Sequence, residues 1–335
     1  MSIRVAINGA GRIGRAFYKL ARQRRELEVV ALNDLGDIEN IAYLLKYDTV
    51  YGRSPFEVEV KDGNLVIDGK TIKFLSEKEP NKLPWKDLNI DVVIESTGFF
   101  TDYEKAKLHL DAGAKRVVIS APGKGDESLG AIVLLGINEE KFLNCNITSN
   151  GSCTTNAASP IVSIIEDALD IEKALLDTVH SYTASQSLVD SPNKKDWREG
   201  RAAAQNIVPS STGAATSVTK AVTGVPFFDG ISVRVPTPAG SYVDLTFVTR
   251  KNTTKEEVNH ILREAAGEKR WEGIFTATDE PLVSSDIIGS PYASIADLEM
   301  TRVVGGNLVK VLAWYDNEMG YTHTLVEHVI RCSKK

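Results

Sequence analysis

One cysteine in this chain stands in a setting that suits a nucleophile. Cys153 lies in S-N-G-S-C-T-T-N, among small hydroxyl and amide residues and just ahead of an apolar run. If a helix begins at Cys153 or Thr154, the thiol sits at the positive end of the helix dipole, where the pKa of a cysteine falls and thiolate becomes available. A free cysteine is also among the residues most often buried and inert, so the local sequence leaves both roles open.

A base for such a nucleophile follows further along the chain. His180 ends the run L-L-D-T-V-H, 27 residues after Cys153, which is far enough for a helix to leave Cys153 and a strand to return beside it. Histidine titrates near neutral pH and can exchange protons with a thiol. A single histidine at a strand end is more often structural, so the pair is a hypothesis. The other four histidines are interpreted as structural: His109, His260, His323 and His328.

A glycine string near the start of the chain predicts a dinucleotide site. Gly9, Gly11 and Gly14 form G-x-G-x-x-G at the join of the first strand and helix, and Asp34 lies 20 residues beyond Gly14. This context favours a tight turn beneath a pyrophosphate, with a carboxylate on the ribose hydroxyls, over a plain turn. Because the Asp34 carboxylate repels a 2'-phosphate and no arginine follows it, NAD is favoured over NADP as the cofactor.

The elements around these residues predict a Rossmann-type α/β domain over residues 1–150. An apolar strand at 3–7, a helix at 13–21, and a strand at 28–33 alternate, and the pattern recurs around a helix at 103–112. Such alternation is typical of a parallel sheet covered by helices. Two-fold alternation on either side of Asp62-Gly63 predicts an antiparallel hairpin inserted in this domain.

The second half of the chain has a different pattern and predicts an α+β catalytic domain over residues 151–319. Longer alternating segments indicate a mostly antiparallel or mixed sheet, with a helix at 254–266 and a last strand at 307–315. The closing segment 320–331 spaces its apolar residues along one helical face. We expect the C-terminal helix, 320–335, to pack back on the first domain.

Composition limits the classes of function. A chain of 335 residues with 42% hydrophobic and 25% charged residues indicates a soluble globular protein of two domains. A net charge of -6 argues against nucleic-acid and anionic-membrane surfaces. Three cysteines without C-x-x-C spacing give neither a disulfide framework nor a cysteine-rich zinc site, and no metal is predicted. Without an apolar stretch long enough to span a membrane, we expect a cytoplasmic protein.

Six ordered motifs together resemble phosphorylating glyceraldehyde-3-phosphate dehydrogenases over essentially the whole chain. They are G-A-G-R-I-G-R, S-N-G-S-C-T-T-N, H-S-Y-T, R-A-A-A-Q-N-I-V-P-S-S-T-G-A-A, R-V-P-T-P and W-Y-D-N-E-M-G-Y. The resemblance implies a homotetramer that oxidises D-glyceraldehyde 3-phosphate to 1,3-bisphosphoglycerate with NAD and inorganic phosphate. Cys153 is the implied nucleophile, which forms a thiohemiacetal and then a thioester, and His180 is its base.

The same resemblance implies the other site residues. Two sets would hold the anions: Thr183 and Arg234 for the substrate phosphate, and Ser152, Thr154, Thr212 and Gly213 for the attacking phosphate. The resemblance also allows both phosphates to share Arg234. Hydroxyl, amide and guanidinium groups are the donors that such oxyanions require. Besides the glycines and Asp34, the implied cofactor residues are Arg12, Ile13, Lys78, Ser120 and Asn317, the last on the carboxamide.

The chain also departs from the family pattern. Ala10 replaces a usual phenylalanine, Gly151 an alanine, Ala157 a frequent second cysteine, and Met319 a tryptophan or threonine. None of these changes removes a group that the chemistry needs. Two alternatives differ in class: an erythrose-4-phosphate dehydrogenase, whose usual sequence lacks the Y-T and S-T-G present here, and a non-catalytic NAD-binding protein with a redox or interaction role.

Overall fold

The protein, studied as a computed structural model that describes residues 2–334, consists of two compact units. Unit 1 comprises the chain up to Val133, Glu139–Gly151 and the segment from Leu325 onward, and unit 2 comprises Leu134–Asn138 and Ser152–Thr324. Within the described residues, no helix has both the length and the apolar character needed to cross a membrane.

Within the described range, unit 1 has a nine-stranded sheet, a two-stranded sheet, three complete α-helices and the larger part of the C-terminal helix. The strands are β1 Ile3–Asn8, β2 Leu27–Asn33, β3 Tyr47–Asp48, β4 Gly52–Arg53, β5 Val58–Lys61, β6 Asn64–Ile67, β7 Lys70–Leu75, β8 Val92–Glu95, β9 Arg116–Ile119, β10 Gly130–Ile132 and β11 Ile147–Ser149. The helices are α1 Arg12–Ala21, α2 Ile38–Lys46 and α3 Tyr103–Asp111, with 3-10 turns at Pro80–Lys82 and Glu139–Leu143.

The large sheet of unit 1 confirms the predicted Rossmann-type fold. Its order is β10-β11-β9-β8-β1-β2-β7-β6-β5, and the seven strands from β10 to β7 pair in parallel. Strand β1 lies between β2 and β8. The chain passes from β1 to β2 on one side and later enters β8 on the other side of β1, so the strand order reverses at β1. The carboxyl ends of these three strands therefore form the crevice in which such sheets bind ligands.

The predicted hairpin around Asp62-Gly63 is present but is part of a longer meander. β5 and β6 pair antiparallel, and a second Asp-Gly turn at Asp68-Gly69 leads into β7. All four turn residues have positive φ, between 46° and 76°, which the Asp-Gly pairs tolerate in tight hairpin turns. Because β7 also pairs in parallel with β2, the meander extends the main sheet.

Unit 2 contains the predicted mixed sheet. Its elements are α4 Cys153–Leu169, β12 Ile171–Ser181, β13 Val208–Ser211, α5 Ala214–Ala221, β14 Phe228–Val235, β15 Ser241–Thr249, α6 Lys255–Ala266, β16 Phe275–Thr278, β17 Ser294–Val304 and β18 Leu308–Tyr315, with 3-10 turns at Trp197–Gly200 and Lys269–Trp271. The order is β13-β14-β12-β15-β18-β17-β16. Pairing is antiparallel except for β12 with β14 and β16 with β17. The side chains of α4 pack against this sheet and are nearly all buried.

The C-terminal helix, α7 Met319–Ser333, carries a buried histidine into unit 1. His328 is fully buried, with its Nε2 2.7 Å from the Thr148 hydroxyl and its Nδ1 3.1 Å from the Asn150 Oδ1. Burial, aided by the charge of Arg331, lowers the pKa of His328 from 6.5 to about 3. His328 is therefore neutral in the folded protein, where it joins α7 to the end of β11.

Acid should consequently weaken this attachment. The unfolded chain binds a proton at His328 below pH 6.5, whereas the folded chain resists protonation until about pH 3, so the stabilisation present above pH 6.5 is lost as the pH falls. His328→Gln keeps a donor and an acceptor but cannot titrate. Urea unfolding at several pH values should show a shallower loss of stability below pH 6.5 in His328→Gln than in wild type. The exposed His260 provides the control His260→Gln, and equal pH dependence in all three proteins would contradict the prediction.

Candidate active site

Cys153 is the first residue of helix α4, as the sequence predicted. Ser152 caps the helix, because its Oγ accepts a hydrogen bond from the Thr155 N–H at 3.0 Å. The chain then runs through α4 and returns along β12, which ends at Ser181 and carries His180 near its end. This return brings Cys153 Sγ within 3.3 Å of His180 Nε2, so the two residues proposed as nucleophile and base are in direct contact.

The pKa of Cys153 does not fall as the position at a helix start predicted. Burial raises the pKa of the thiol, against the opposing charge of Arg234 and the hydrogen bonds of Thr154. The prediction was wrong because it considered the helix dipole alone, whereas removing a thiolate from water costs more than the dipole returns. In the resting site Cys153 is therefore a thiol that must pass its proton to a neighbour.

His180 is also held in its neutral form. Burial and then the Arg234 charge lower its pKa to about 3, against a hydrogen bond with Ser181 that favours protonation. Its Nδ1 lies 2.6 Å from the Ser181 carbonyl oxygen and 2.6 Å from Arg234 Nη1. The Nδ1 of a neutral ring can make only one of these two hydrogen bonds, depending on the tautomer. Either Nδ1–H donates to the Ser181 carbonyl, or the Nδ1 lone pair accepts from Arg234. The first tautomer leaves Nε2 free to accept the proton of Cys153.

Tyr315 supports both ends of the pair and was missed by sequence reasoning. Its hydroxyl lies 2.9 Å from the Thr154 Oγ1 and 2.8 Å from the Thr178 Oγ1, and its ring packs edge-on to His180 at 5.9 Å. It thereby ties the first turn of α4 to β12. Its sequence signals were its place at the end of an alternating strand, which predicts burial, and its place in the motif W-Y-D-N-E-M-G-Y, and neither signal indicates a partner.

Arg234 lies beside His180 because their positions are paired neighbours on β14 and β12. Its Nε is buried and has no hydrogen-bond partner within residues 2–334. Such a donor suits an anion. The remaining phosphate candidates form local contacts: Thr183 Oγ1 is 3.0 Å from Ser185 Oγ, and Thr212 Oγ1 accepts from the Ala214 N–H at 3.2 Å beside Gly213, the N-cap of α5.

The glycine string shapes a cavity of about 880 Å³ in unit 1. Gly9 has a φ of 102°, and a Cβ on Gly14 would lie 2.0 Å from the Gly9 carbonyl oxygen, so neither position accepts a side chain. By contrast, a Cβ on Gly11 would have no atom within 4 Å. Gly11 is the N-cap of α1 and supplies no side-chain hydrogen bond to the helix. Gly11 therefore leaves room beside the positive end of helix α1, which fits a bound pyrophosphate.

Asp34 and Lys78 line the same cavity, whereas Gly14, Asn317 and three other predicted cofactor residues are not among the described residues that line it. The Asp34 carboxylate accepts hydrogen bonds from Ala10 N at 2.6 Å and Gly36 N at 2.8 Å. Among the described residues, the lining excludes Arg12, Ile13 and Ser120. Arg12 instead forms an ion pair with Asp48 at 2.9 Å and packs over the ring of Tyr51, and Ser120 follows β9.

Asn317, the candidate for the carboxamide, is buried in unit 2. Its Oδ1 accepts hydrogen bonds from the Gly240 N–H and the Ser241 hydroxyl, both at 3.1 Å. Of the four departures from the family pattern, Gly151 has a structural explanation, because its φ of 66° lies in the left-handed region. Ala10, Ala157 and Met319 are buried.

Comparisons with known proteins agree with this geometry. The model of the glyceraldehyde 3-phosphate dehydrogenase C-terminal domain matches residues 152–317, and that of the NAD binding domain of the same family matches residues 3–103. Glyceraldehyde-3-phosphate dehydrogenase of Thermotoga maritima is 50% identical over 328 residues, 97% of each chain. Glyceraldehyde-3-phosphate dehydrogenase 2 of Streptomyces avermitilis is 46% identical over 331 residues, and the Streptomyces coelicolor enzyme is 45% identical over 331 residues; each match covers 98% of this chain and 97% of the relative.

Proposed function

The chain belongs to the glyceraldehyde 3-phosphate dehydrogenase family, and from this membership we propose that it oxidises D-glyceraldehyde 3-phosphate with NAD and inorganic phosphate to 1,3-bisphosphoglycerate. The observation that carries the proposal is the 3.3 Å contact between Cys153 Sγ and His180 Nε2. A thiol beside a neutral imidazole can attack an aldehyde and retain the oxidised product as a thioester.

Cys153 first forms the covalent bond to the substrate. As Sγ attacks the aldehyde carbon, the thiol proton passes to His180 Nε2, which then delivers this proton to the former carbonyl oxygen. The thiohemiacetal hydroxyl forms in this way, and His180 is neutral again. NAD, when bound, accepts the hydride that leaves this carbon. His180 takes the hydroxyl proton in that step, and Cys153 is left carrying a thioester. Inorganic phosphate then attacks the thioester, the C–S bond breaks, and the thiolate leaves.

Arg234 is the proposed anchor for the substrate phosphate, together with Thr183. Its buried Nε has no partner among the described residues, and an unpaired buried donor is costly unless a ligand accepts its hydrogen bond. We assign the attacking phosphate to the start of α4 and of α5, where Ser152, Thr154, Thr212 and Gly213 lie. Because the hydroxyls of Ser152 and Thr154 already contact Thr155 and Tyr315, an incoming phosphate must share or displace those contacts.

The cofactor would be held by residues of unit 1. Gly9, Gly11 and Gly14, with the first turn of α1, suit the pyrophosphate, and Asp34 suits the adenosine ribose. We retain Arg12, Ile13, Lys78, Ser120 and, for the carboxamide, Asn317 as further cofactor residues.

A measurement of phosphate-dependent NADH formation tests the function. We expect sustained NADH formation with glyceraldehyde 3-phosphate only when inorganic phosphate is present, because the thioester otherwise remains on Cys153 after one turnover. Erythrose 4-phosphate should be a much poorer substrate. Equal or faster turnover of erythrose 4-phosphate would overturn the assigned substrate, and binding of NAD without turnover of either aldehyde would overturn the enzymatic proposal.

The cofactor site should discriminate strongly between NAD and NADP. A 2'-phosphate would meet the fixed charge of Asp34, and the exposed Leu35 beside it supplies no side-chain donor. We expect kcat/KM for NAD to exceed that for NADP by at least about a hundredfold, or about 2.7 kcal/mol. Steady-state kinetics with both cofactors provides the measurement, and comparable efficiencies would contradict the role of Asp34.

A double variant makes the cause of this preference testable. The family resemblance associates proline at position 192 with NAD and serine with use of both cofactors, so Asp34→Gly combined with Pro192→Ser should narrow the preference. Glu39→Gln is the control, at an exposed position five residues after Asp34. It removes one negative charge that is not assigned to the cofactor and should leave the preference for NAD over NADP unchanged.

A homotetramer in the cytoplasm is the proposed physiological form. An open face of the sheet in unit 2 supports self-association, because Leu175 and Ile231 are 64% and 53% exposed there. Asp177 and Asp244 lie directly opposite each other on this face, each with one buried Oδ1 that lacks a partner. A second copy of the chain could cover the apolar residues and supply hydrogen-bond donors to these two carboxylates. Sedimentation should give a mass near four times 36.6 kDa, and a monomer would contradict the proposal.

A further inference from the structure

We infer that Glu95 is a positioning residue for NAD, which holds the segments lining the cofactor cavity in place without contacting the cofactor. The inference rests on the proposed use of NAD by this site. Glu95 ends β8 and is almost completely buried, with 1% of its surface exposed. It is not among the described residues that line the cavity of unit 1.

The carboxylate of Glu95 is surrounded by hydrogen-bond donors. Its Oε2 accepts from Asn8 Nδ2 at 2.6 Å and contacts His109 Nε2 at 3.1 Å. Its Oε1 accepts from the Thr97 backbone N–H at 2.9 Å and from the Thr97 hydroxyl. The two carboxylate oxygens of Glu95 thus accept hydrogen bonds from four donor groups.

His109 is held in the tautomer that completes this set. The Trp85 indole Nε1–H donates to His109 Nδ1 at 3.0 Å. Since Nδ1 accepts, the proton of the neutral ring resides on Nε2 and points to Glu95. Both Trp85 and His109 are fully buried, so the arrangement is shielded from water. Besides the structural role predicted from the sequence, His109 thus donates a hydrogen bond to Glu95.

The network continues from Glu95 into the residues that line the cavity. Asn8, which Glu95 orients, accepts from Asn33 Nδ2 at 2.7 Å. Asn33 in turn donates to the Glu77 carbonyl and accepts from the Glu77 N–H, both at 2.8 Å. On the other side, the Thr97 hydroxyl accepts from the Phe99 N–H at 3.1 Å. Asn8, Asn33, Glu77, Thr97 and Phe99 all line the cavity.

Glu95 therefore fixes the ends of three adjacent strands, β1, β2 and β8, and the loop that follows β7. A preformed cavity binds more tightly than one that must be ordered by its ligand. The side chains of Glu95, Asn8 and Asn33 make the links between the strand ends, so the backbone pairing of the sheet cannot replace them. These features distinguish a network that shapes the cavity from one that only stabilises the core.

The test is the affinity for NAD, measured by calorimetry, of Glu95→Gln. The amide has nearly the same shape but places an NH2 group against donors that need an acceptor, so we expect the Kd for NAD to rise about tenfold. KM for NAD should rise in parallel, whereas kcat at saturating NAD and alkylation of Cys153 should be unchanged. A purely structural role would lower the melting temperature without this split between KM and kcat.

Ile94→Val is the matched control. Ile94 is the fully buried neighbour of Glu95 on β8, and loss of a methyl group there should lower the melting temperature without changing the Kd. An unchanged Kd in folded Glu95→Gln, or an equal rise in Ile94→Val, would overturn the inference.

If Glu95→Gln does not fold, two variants at His109 test whether the Glu95 network sets the affinity for NAD. His109→Gln can still donate to Glu95 and accept from Trp85, so it should bind NAD almost as wild type does, whereas His109→Leu should bind more weakly. Equal affinities in these two variants would overturn the inference, as would a wild-type protein that does not bind NAD. If NAD affinity depends on Glu95 but glyceraldehyde 3-phosphate is not oxidised, the proposed function fails and the inference on Glu95 stands.

Discussion

Replacing Cys153 with serine is expected to lower kcat for aldehyde oxidation at least about ten-thousandfold, or about 5.4 kcal/mol, while NAD affinity stays unchanged. A hydroxyl is a far weaker nucleophile than a thiol at neutral pH and is harder to deprotonate. Burial already raises the pKa of the Cys153 thiol, and the same environment opposes an alkoxide more strongly. The glycines and Asp34 of unit 1 are untouched by the substitution.

The measurement combines steady-state turnover with calorimetric binding of NAD. Cys145→Ser is the control, because Cys145 is a second half-buried thiol that the mechanism does not use, and its turnover should match wild type. Normal turnover by Cys153→Ser would end the covalent mechanism. Loss of NAD affinity in that variant would instead point to a general disturbance of the protein.

Much of the fold and the central pair could be predicted from sequence because their signals are local. The glycine string, the strand before it and Asp34 lie within one strand-helix-strand unit. Likewise, the helix start at Cys153 and the distance to His180 depend on a single helix followed by a single strand. Where a pattern is continuous over such a unit, chain geometry limits the possible arrangements.

The electrostatics of the site could not be predicted in the same way. The pKa of Cys153 depends on burial, and that of His180 on burial and on Arg234, which is 54 residues away in sequence. Tyr315 contacts Thr154 across 161 residues. Such contacts arise only when the sheet of unit 2 is assembled. No period or motif in the sequence reports them.

The network around Glu95 escaped prediction for a related reason. Its members Asn8, Glu95 and His109 stand on three different elements of unit 1, and each alone is typical of an ordinary strand end or helix. Their meaning comes from the order of the sheet, which places β8 beside β1. A buried carboxylate with four donors is therefore recognisable in the structure and not in the sequence.

Replacing His180 with asparagine is expected to lower the rate of acylation roughly a thousandfold, which is within the usual contribution of a positioned base. Asparagine cannot take the thiol proton or the hydroxyl proton of the thiohemiacetal. Alkylation of Cys153 by iodoacetamide should also slow near neutral pH. The acceptor 3.3 Å from Sγ is lost while burial continues to oppose the thiolate, so the pH profile of alkylation should shift to higher pH.

The alkylation profile separates this role from a structural one. Because burial and the charge of Arg234 keep His180 neutral, its Nε2 is the acceptor for the Cys153 thiol proton in the resting site. Removal of the imidazole must therefore alter how that proton is lost. His260→Asn, at an exposed position of unit 2, is the control and should reproduce the wild-type profile. If His180→Asn also reproduces it, His180 does not act on Cys153, and the slow acylation must be attributed to misplacement of the substrate.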